Sequence, residues 1–387
     1  MPDKKSMKTT DAIETIGYRP TWVEINLAAL EHNYKQIRKA ISRATGIIAC
    51  VKADAYGHGA GPVSQRLVSL GVEYLAVASI DEAITLRKEG IKTPILVLGM
   101  VLPAYVSPLF KYGITQTVCT WDLAEAISKH AAYFKKQAKI HIKVDTGMGR
   151  LGFAYNEAYD LVREIARLKF LKIEGIFTHF PSADSDTAFT RHQVDIFNKL
   201  ITRLEKSGIR IPMHHAANSM GILHYKNSHL NFVRPGLILY GLYPKKGLKI
   251  DLRPVMSLKT KVVFTKRVSK GEGISYGHSY HTKKDTTIVI LPIGYGDGYP
   301  RSLSNKADVL IAGQRFKISG KVCMDHILVD VGDARVGTGD EAILIGASAS
   351  ERIGAEELAR LIDTISYEIV CGIGGRVPRI YPDQGVV

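Results

Sequence analysis

Eight short apolar runs alternate with amphipathic stretches between residues 47 and 241, and this alternation restricts the fold more than any other feature. Apolar runs separated by helical stretches are typical of a parallel sheet that is buried on both faces. Eight strand–helix units match a (β/α)8 TIM-type barrel of the α/β class, with a doubly wound open sheet as the alternative. We favour the barrel because polar residues cluster at the ends of the runs. The runs are IIACVK (47–52), EYLAVAS (73–79), PILVLG (94–99), ITQTVCT (114–120), KIHIKVD (139–145), IEGIFTH (173–179), MHHAANS (213–219) and FVRPGLILYG (232–241).

The character of the sequence changes beyond about residue 255. Segments such as LKTKVVFTKRV, TTIVILPIGY and HILVDVG are short, β-rich and separated by Gly and Asp, which predicts a second, mainly β domain. Near the start, TWVEIN alternates like a strand, and Asn26 is a suitable N-cap for the helical stretch that follows. We therefore predict an N-terminal arm over residues 1–20, a barrel over 21–255 and a mainly β C-terminal domain over 256–387.

Composition excludes several classes of protein. The net charge of +15 could suit nucleic acid, but the basic residues are spread along the chain without a dense Lys/Arg block. The polar N-terminal segment has no apolar core typical of a signal peptide, and no apolar run is long enough to cross a bilayer. Cys50, Cys119, Cys323 and Cys371 form no CxxC pair and have no histidine at zinc-ligand spacing. We predict a cytoplasmic protein with reduced cysteines, no metal, and no membrane or nucleic-acid partner.

Polar and charged residues stand where the predicted strands end, which is the edge that carries the active site in barrel enzymes. Burying an unpaired Lys or Arg is costly, so these positions indicate a function rather than ordinary core. The residues are Lys52, Asp145, Arg150, His179, Asn218, Ser219 and Arg234.

The loops after strands seven and eight indicate what the site binds, because barrels often hold phosphate there. They offer the Ser219 hydroxyl and the backbone N–H groups of Gly236 and Leu237, and a glycine permits close approach of a phosphate. A lysine that faces a phosphate-bearing cofactor points to a Schiff base.

Eight motifs in order make the chain resemble the alanine racemase family from about Trp22 to Tyr381. The resemblance implies a barrel followed by a β domain. It also implies an isomerase that depends on pyridoxal 5′-phosphate (PLP) and interconverts L- and D-alanine. The D-alanine would be used to make the peptidoglycan of the cell wall. The motifs are VKADAYGHG (51–59), KVDTGMGRLG (143–152), HAANS (215–219), VRPGLILYG (233–241), SYG (275–277), GYGDGYPR (294–301), CMD (323–325) and YEIVCGIGGRVPR (367–379).

The resemblance implies two catalytic residues. Lys52 would carry PLP and exchange a proton on one face of the substrate α-carbon. Tyr276 would do so on the other face, since inversion of a planar carbanion needs a proton carrier on each side. In the family this tyrosine comes from the partner subunit and bonds to a barrel histidine, here His179, which implies a homodimer with shared active sites.

The resemblance also assigns the cofactor contacts. Arg234 would face the pyridine nitrogen and, being always charged, keep that nitrogen unprotonated, which weakens the ring as an electron sink. Arg150 would bond the phenolic oxygen and the substrate carboxylate, oriented by Lys143, which many family members carry as a carbamate. The remaining contacts, most of them to the phosphate, would be Tyr56, Asn218, Ser219, Gly236, Leu237 and Tyr367.

Three residues of the second domain would complete the substrate site. Met324 and Asp325 of the partner subunit would bind the substrate, the former through its backbone N–H. Tyr295 resembles the tyrosine that narrows the family's substrate entrance, and a narrow entrance favours a small amino acid such as alanine.

Other interpretations remain beside this one. PLP-dependent decarboxylases of basic amino acids share the architecture, but they place a carboxylate where Arg234 stands here. Non-catalytic PLP-binding barrels lack the β domain and so the equivalents of Tyr276 and Met324. Serine racemases and broad-specificity racemases share most of the motifs, so alanine is the first expectation rather than the sole one.

Overall fold

The structure is a computed structural model that describes residues 17–382. Most of the predicted N-terminal arm, residues 1–16, lies outside the described residues, as do residues 383–387. Within the described range, no helix is both long and apolar enough to cross a membrane.

Eight parallel strands close into a barrel, as the alternation of apolar runs predicted. Their neighbours follow the chain order, and the last strand pairs with the first: Phe232 lies opposite Gly46. Four of these eight strands are buried along their whole length, which is why they read as continuous apolar runs. The barrel strands are β2 (Gly46–Cys50), β3 (Tyr74–Val77), β4 (Ile95–Val97), β5 (Thr115–Val118), β6 (Ala138–Asp145), β8 (Leu171–Phe177), β9 (Met213–His215) and β10 (Phe232–Val233), with the two-residue β7 (Phe153–Ala154) beside β6.

Helices cover the barrel, and five of the eight begin at a polar side-chain cap. Asn26 accepts a hydrogen bond from the Ala29 N–H at 2.6 Å, as predicted, and Ser79 forms a capping box with Glu82. The barrel helices are α1 (Leu27–Ala40), α2 (Ala60–Ser69), α3 (Ile80–Lys88), α4 (Ser107–Tyr112), α5 (Trp121–Tyr133), α6 (Tyr155–Ile165), α7 (Thr187–Lys206) and α8 (Ser219–His224). Short 3₁₀ turns lie at Pro103–Tyr105, Lys226–Ser228 and Leu237–Tyr240.

The second domain is mainly β, as predicted. Its strands are β11 (Met256–Lys261), β12 (Phe264–Val268), β13 (Gly273–Ile274), β14 (Tyr280–His281), β15 (Thr286–Leu291), β16 (Asp308–Ile311), β17 (Gln314–Lys317), β18 (Ile327–Gly332), β19 (Glu341–Ser348), β20 (Glu351–Ile353) and β21 (Arg379–Ile380), joined by β1 (Thr21–Ile25). The largest sheet has the order β17-β16-β19-β11-β1-β21, with β20 paired to β19. Beside it lie a three-stranded sheet, β12-β15-β18, and the pair β13-β14. Two helices, α9 (Ala355–Leu361) and α10 (Ser366–Gly372), and 3₁₀ turns at Tyr276–His278, Tyr295–Asp297 and Arg301–Leu303 complete it.

The strand near the N-terminus, β1 (Thr21–Ile25), lies in this second domain and not in the barrel. It pairs antiparallel with β11, placing Thr21 opposite Thr260, and parallel with β21. The expectation that the barrel begins at residue 21 is therefore corrected: the first strand belongs to the sheet of the C-terminal domain. Its alternation correctly indicated a strand, but alternation does not show which partner is distant in sequence.

Candidate active site

A cavity of about 390 Å³ opens at the C-terminal ends of the barrel strands. The structure brings eleven of the sequence-predicted site residues to its walls, and their roles remain predictions. A wider cavity of about 670 Å³ lies between residues 243–248 and α9–α10, but neither Lys52 nor Arg234 lines it. The smaller cavity is therefore the candidate active site. The eleven residues are Lys52, Tyr56, Lys143, Arg150, His179, Asn218, Ser219, Arg234, Gly236, Leu237 and Tyr367.

Lys52 follows β2 and begins an unusual turn. The four residues after it, Ala53 to Tyr56, have φ between +52° and +56°, although none is a glycine. A left-handed residue with a side chain costs about 1–2 kcal/mol. Strain of this kind persists only where the surroundings impose it, and it is common at active sites.

Several hydrogen bonds impose the left-handed turn. The Ala53 N–H donates to Oε1 of Glu82 at 2.7 Å, and the Asp54 carboxylate accepts from the Ala60 N–H at 2.7 Å. The buried His58 ring lies against the turn, with Nδ1 2.8 Å from the Tyr56 carbonyl oxygen. The turn thus joins β2 to α2 at fixed geometry and holds Lys52 at the cavity wall.

Arg234 is buried, and nearly all of its donors are used. Nη1 lies 2.7 Å from Nδ1 of His215 and donates to the His215 carbonyl at 2.8 Å. Nη2 donates to the carbonyls of Thr178 at 2.6 Å and Ala216 at 3.0 Å. Arginine has five N–H donors, so the Nε–H is the one left for a ligand. Burial lowers the pKa of Arg234 to about 10, which still leaves it charged at neutral pH.

His179 and Lys143 stand among cations on the same wall. Burial, with the charges of Arg234, Lys143, Arg150 and Lys52, holds the pKa of His179 well below its ordinary value, so the imidazole is neutral. Burial lowers the pKa of Lys143 to about 8, and the positive charges of Arg150 and Arg234 add to this effect. A lysine in that range is partly uncharged near neutral pH.

Several hydrogen-bond donors lie at one end of the cavity. The Tyr56 ring packs against Tyr240 and Tyr367, with centroids 4.8 and 5.8 Å away, and its hydroxyl faces Gly236. A Cβ at Gly236 would lie 2.6 Å from that hydroxyl, so only glycine fits. The Gly236 N–H donates to Oγ of Ser219 at 3.2 Å. Burial raises the pKa of Tyr56 well above its ordinary value and that of Tyr367 to about 12, so both hydroxyls keep their protons.

These features fit PLP. Hydroxyl and backbone donors at a cradle that tolerates no Cβ suit a phosphate. Lys52 supplies an amine for the aldehyde, and the Nε–H of Arg234 suits an unprotonated ring nitrogen. The side chain of Asn218, which lines the cavity, also caps α8 by accepting from the Gly221 N–H at 2.9 Å. Its contact with the cofactor stays a prediction.

The turn that carries Arg150 is built on Asp145. One carboxylate oxygen of Asp145 accepts from the N–H groups of Gly147 and Met148, both at 2.8 Å. Gly152 has φ +128°, and a Cβ there would lie 2.5 Å from the Asp145 nitrogen. Asp145, noted from the sequence as a strand-end residue, thus shapes the turn and does not line the cavity.

Four of the five predicted residues of the second domain do not line the cavity, whereas the fifth, Tyr367, does. Tyr276 is 69% exposed, Met324 52% and Tyr295 41%, which is unusual for large apolar side chains. Asp325 is paired with Arg376 at 2.8 Å. Within one chain, the site therefore comprises the barrel residues of the predicted set and Tyr367.

Sequence reasoning missed His215, which is fully buried behind Arg234 and stacks on Phe177 with centroids 4.7 Å apart. A signal was present, because His215 begins the HAANS motif and is a polar residue in a buried strand.

Two family models together match nearly all of the described chain. Residues 25–244 match "Alanine racemase, N-terminal domain", and residues 255–381 match "Alanine racemase, C-terminal domain". The chain belongs to the alanine racemase family. The membership confirms the family expected from the motifs, and it makes the chain an isomerase that acts on amino acids. It does not favour the decarboxylase alternative.

Relatives in the alanine racemase family align over nearly their full length. The alanine racemase of Halothermothrix orenii is 46% identical over 95% of this chain and 98% of its own. That of Desulforamulus reducens is 44% identical over 94% and 99%.

Solved structures agree. The alanine racemase of Clostridium difficile 630 superposes with a TM-score of 0.89 at 40% identity, covering 94% of this chain and 95% of its own. A histidine racemase from Leuconostoc mesenteroides has a TM-score of 0.86 at 29% identity, covering 94% and 98%. The same fold thus occurs in racemases named for different amino acids.

Proposed function

We propose that the chain racemises alanine with PLP by a two-base mechanism, in a homodimer whose active sites each combine the barrel of one subunit with the second domain of the other. The observation that carries the proposal is the division of the site. Lys52 and the donor groups line one cavity, whereas Tyr276 is exposed on the other domain of the same chain. A second copy of the chain would bring the missing group to the cavity mouth.

Residues of the cavity wall would hold the cofactor. Tyr56, Ser219 and, from the second domain, Tyr367 would bind the phosphate together with the N–H groups of Gly236 and Leu237, and Lys52 would bind the aldehyde carbon. When bound, PLP withdraws electrons from the α-carbon of an attached amino acid and so makes its proton more acidic.

Arg234 sets the strength of that withdrawal. Its Nε–H would donate to the pyridine nitrogen of bound PLP, and because a charged arginine keeps its proton, that nitrogen would stay unprotonated. An unprotonated ring withdraws electrons more weakly, which would disfavour transamination.

Proton transfer uses one group on each face of the α-carbon. Lys52 holds or gives the proton on one face, and the hydroxyl of the partner subunit's Tyr276 does so on the other. His179 is neutral, as its lowered pKa indicates, and its Nδ1 lies 3.4 Å from Nη2 of Arg234, which can only donate. The proton of His179 is therefore on Nε2, and this N–H would donate a hydrogen bond to the Tyr276 oxygen. For L-alanine to become D-alanine, one group removes the proton and the other returns one.

Arg150 orients the substrate carboxylate and the phenolic oxygen of the cofactor. Lys143, with its pKa near 8, has an uncharged fraction that reacts with CO2 to give a carbamate and a proton. The carbamate anion would then accept hydrogen bonds from Arg150 and hold it in place.

The second-domain residues select the substrate. The Met324 N–H and Asp325 of the partner subunit bind the substrate, and Tyr295 with Tyr367 narrows the entrance so that alanine passes more readily than larger amino acids. We place the enzyme in the cytoplasm, which suits its four free cysteines. The D-alanine would serve peptidoglycan synthesis.

The reaction is tested by incubating the protein with PLP and L-alanine in D2O, followed by chiral chromatography with mass detection. Deuterated D-alanine is the expected product. No exchange at the α-carbon would contradict the proposed reaction, and a faster reaction with L-serine or L-histidine would contradict the proposed substrate.

The shared site is tested by mixing two inactive variants, Lys52→Ala and Tyr276→Phe. In a heterodimer with shared sites, one site carries both changes and the other carries neither. Since random mixing gives half heterodimers, activity should return to about a quarter of the unsubstituted level. Recovery below one-hundredth, with heterodimers demonstrated by native mass spectrometry, would mean that the two residues serve the same subunit.

A further inference from the structure

A line of buried polar side chains crosses the barrel interior behind the proposed active site. Nη1 of Arg234 lies 2.7 Å from Nδ1 of His215. Nε2 of His215 lies 2.9 Å from Nδ1 of His141. Nε2 of His141 lies 3.9 Å from a carboxylate oxygen of Glu174, towards the N-terminal end of the barrel. We call Glu174, His141 and His215 the barrel chain.

The order of donors in the barrel chain follows from its contact with Arg234. Arginine has no acceptor, so Nδ1 of His215 presents a lone pair to it. Burial, with the charge of Arg234, holds the pKa of His215 well below its ordinary value, and burial lowers the pKa of His141 to about 3. Both rings are therefore neutral, with one N–H each. His215 then donates from Nε2 to His141, and His141 directs its Nε2–H at the carboxylate.

The far end of the barrel chain carries a fixed negative charge. Burial raises the pKa of Glu174, but hydrogen bonds from Lys139 and Tyr74 outweigh burial and hold it below its ordinary value. The Lys139 ammonium is 2.8 Å from one carboxylate oxygen, and the Tyr74 hydroxyl donates to the other at 2.7 Å. Among the described residues, no acceptor lies within hydrogen-bond distance of Nε2 of His141. The charge of the Glu174 carboxylate, 3.9 Å away, is therefore the main electrostatic influence on this nitrogen.

The backbone leaves room for this arrangement. Strand β6 has an irregularity between Ile140 and His141, where His141 pairs with Gly175 of β8. A Cβ at Gly175 would lie 2.5 Å from the His141 ring. Glycine at this point of a buried strand makes space for the imidazole.

We propose that Glu174, through His141 and His215, is a positioning residue for Arg234: its carboxylate selects the tautomer of both imidazoles in which His215 offers Arg234 a lone pair. With the other tautomer of His215, an N–H would face an N–H, and Arg234 would move its Nη1 and with it the Nε–H that faces the cavity. This inference rests on the proposed role of Arg234 at the cofactor ring.

The tautomers are measured without turnover, by ¹⁵N NMR of protein labelled in histidine, with PLP bound and at neutral pH. His141→Gln and His215→Gln spectra assign the two rings. Both are expected as single species with a proton on Nε2. A proton on Nδ1 of His215 would overturn the proposal.

The influence of Glu174 is isolated by removing the arginine end. In Arg234→Met, both rings should keep the Nε2–H form, because the carboxylate still selects it. In Arg234→Met/Glu174→Gln, a second tautomer should appear. A single unchanged tautomer in the double variant would show that packing alone selects it and would overturn the proposal.

Kinetics supply a readout that does not require the arginine variants to fold. Glu174→Gln should lower kcat about ten-fold, as is common when the outer partner of a ligating histidine is removed, with KM changed less than two-fold. Lys172→Gln, at an exposed lysine two residues earlier on the same strand, should leave kcat unchanged. Equal kcat values for the two variants would overturn the positioning role of Glu174. Racemase activity of the unsubstituted protein tests the proposed function separately, since the tautomers are read whether or not alanine reacts.

Discussion

The barrel mouth and the exposed loops of the second domain hold the two halves of the proposed site in opposite ways. At the barrel mouth the polar groups are buried, bonded and fixed: Arg234 is 4% exposed and uses four of its donors within the chain. On the second domain, Tyr276 is 69% exposed. The comparison suggests that cofactor binding is built into one chain, whereas catalysis and substrate choice depend on assembly.

The largest effect should come from the second-domain half. Tyr276→Phe removes one proton carrier and should lower kcat by about 10²–10⁴-fold, the contribution typical of a general acid or base. PLP should still bind, as absorbance of the bound cofactor will show. Tyr280→Phe is the matched control, because that tyrosine lies in the same region but donates to Asp330 at 2.6 Å. Full activity of Tyr276→Phe would remove the reason for a shared site.

A change at the barrel mouth should instead weaken cofactor binding. In Gly236→Ala, the new Cβ meets the buried Tyr56 hydroxyl at 2.6 Å. PLP affinity should fall about 10–100-fold, equivalent to about 1.4–2.8 kcal/mol, and excess PLP should restore kcat. Fluorescence titration measures the affinity. Gly337→Ala, where a Cβ meets nothing within 4 Å, should bind PLP normally; equal affinities would mean that Gly236 forms no phosphate cradle.

The two regions should also respond differently to acid. Burial lowers the pKa of His58 to about 4, whereas His281 is exposed in the second domain. Between pH 6.5 and 4, the unfolded chain binds a proton at position 58 that the folded chain excludes, so stability falls as pH falls. Each such group contributes about 1.4 kcal/mol per pH unit to that slope. His58→Phe should reduce the slope of unfolding free energy, from urea melts at pH 5 and 6, by about this amount. His281→Phe should leave it unchanged, and equal slopes would contradict the burial argument.

The smallest expected effect is a gain in stability at the left-handed turn. Ala53→Gly removes the cost of about 1–2 kcal/mol that a side chain adds to a left-handed residue. Because glycine also raises the entropy of the unfolded chain, the free energy of unfolding should rise by no more than about 1 kcal/mol. Ala126→Gly, inside right-handed α5, should instead destabilise by about 1 kcal/mol. Thermal melts compare the two. A loss in both variants would show that the turn is not strained at Ala53.

The alternation of apolar runs with helical stretches predicted the eight barrel strands, because these strands are largely buried and four of them are buried at every residue. It could not predict the partner of β1, since pairing between Thr21 and Thr260 is decided by tertiary packing. Nor does anything in Ala-Asp-Ala-Tyr indicate positive φ, which distant contacts such as Glu82 impose.

The site was more predictable where motifs carry it. Lys52, Arg234 and Gly236 were expected at the cavity and line it. His141 and Glu174 were not identified, although His141 precedes Lys143 by two residues and so faces the same side of β6. Burial of a polar side chain inside a barrel is visible only once the strands are placed around it.

The position of β1 has a consequence for synthesis of the chain. This strand leaves the ribosome early, yet its antiparallel partner lies 239 residues later. At about 5–20 residues per second, the strand waits on the order of tens of seconds with its backbone unpaired. An unpaired strand is a template for aggregation, so the nascent chain needs the barrel to form quickly beside it or a chaperone to cover it. A fragment that begins at residue 256 would lack this strand, and the edges of β11 and β21 would stand open in its place.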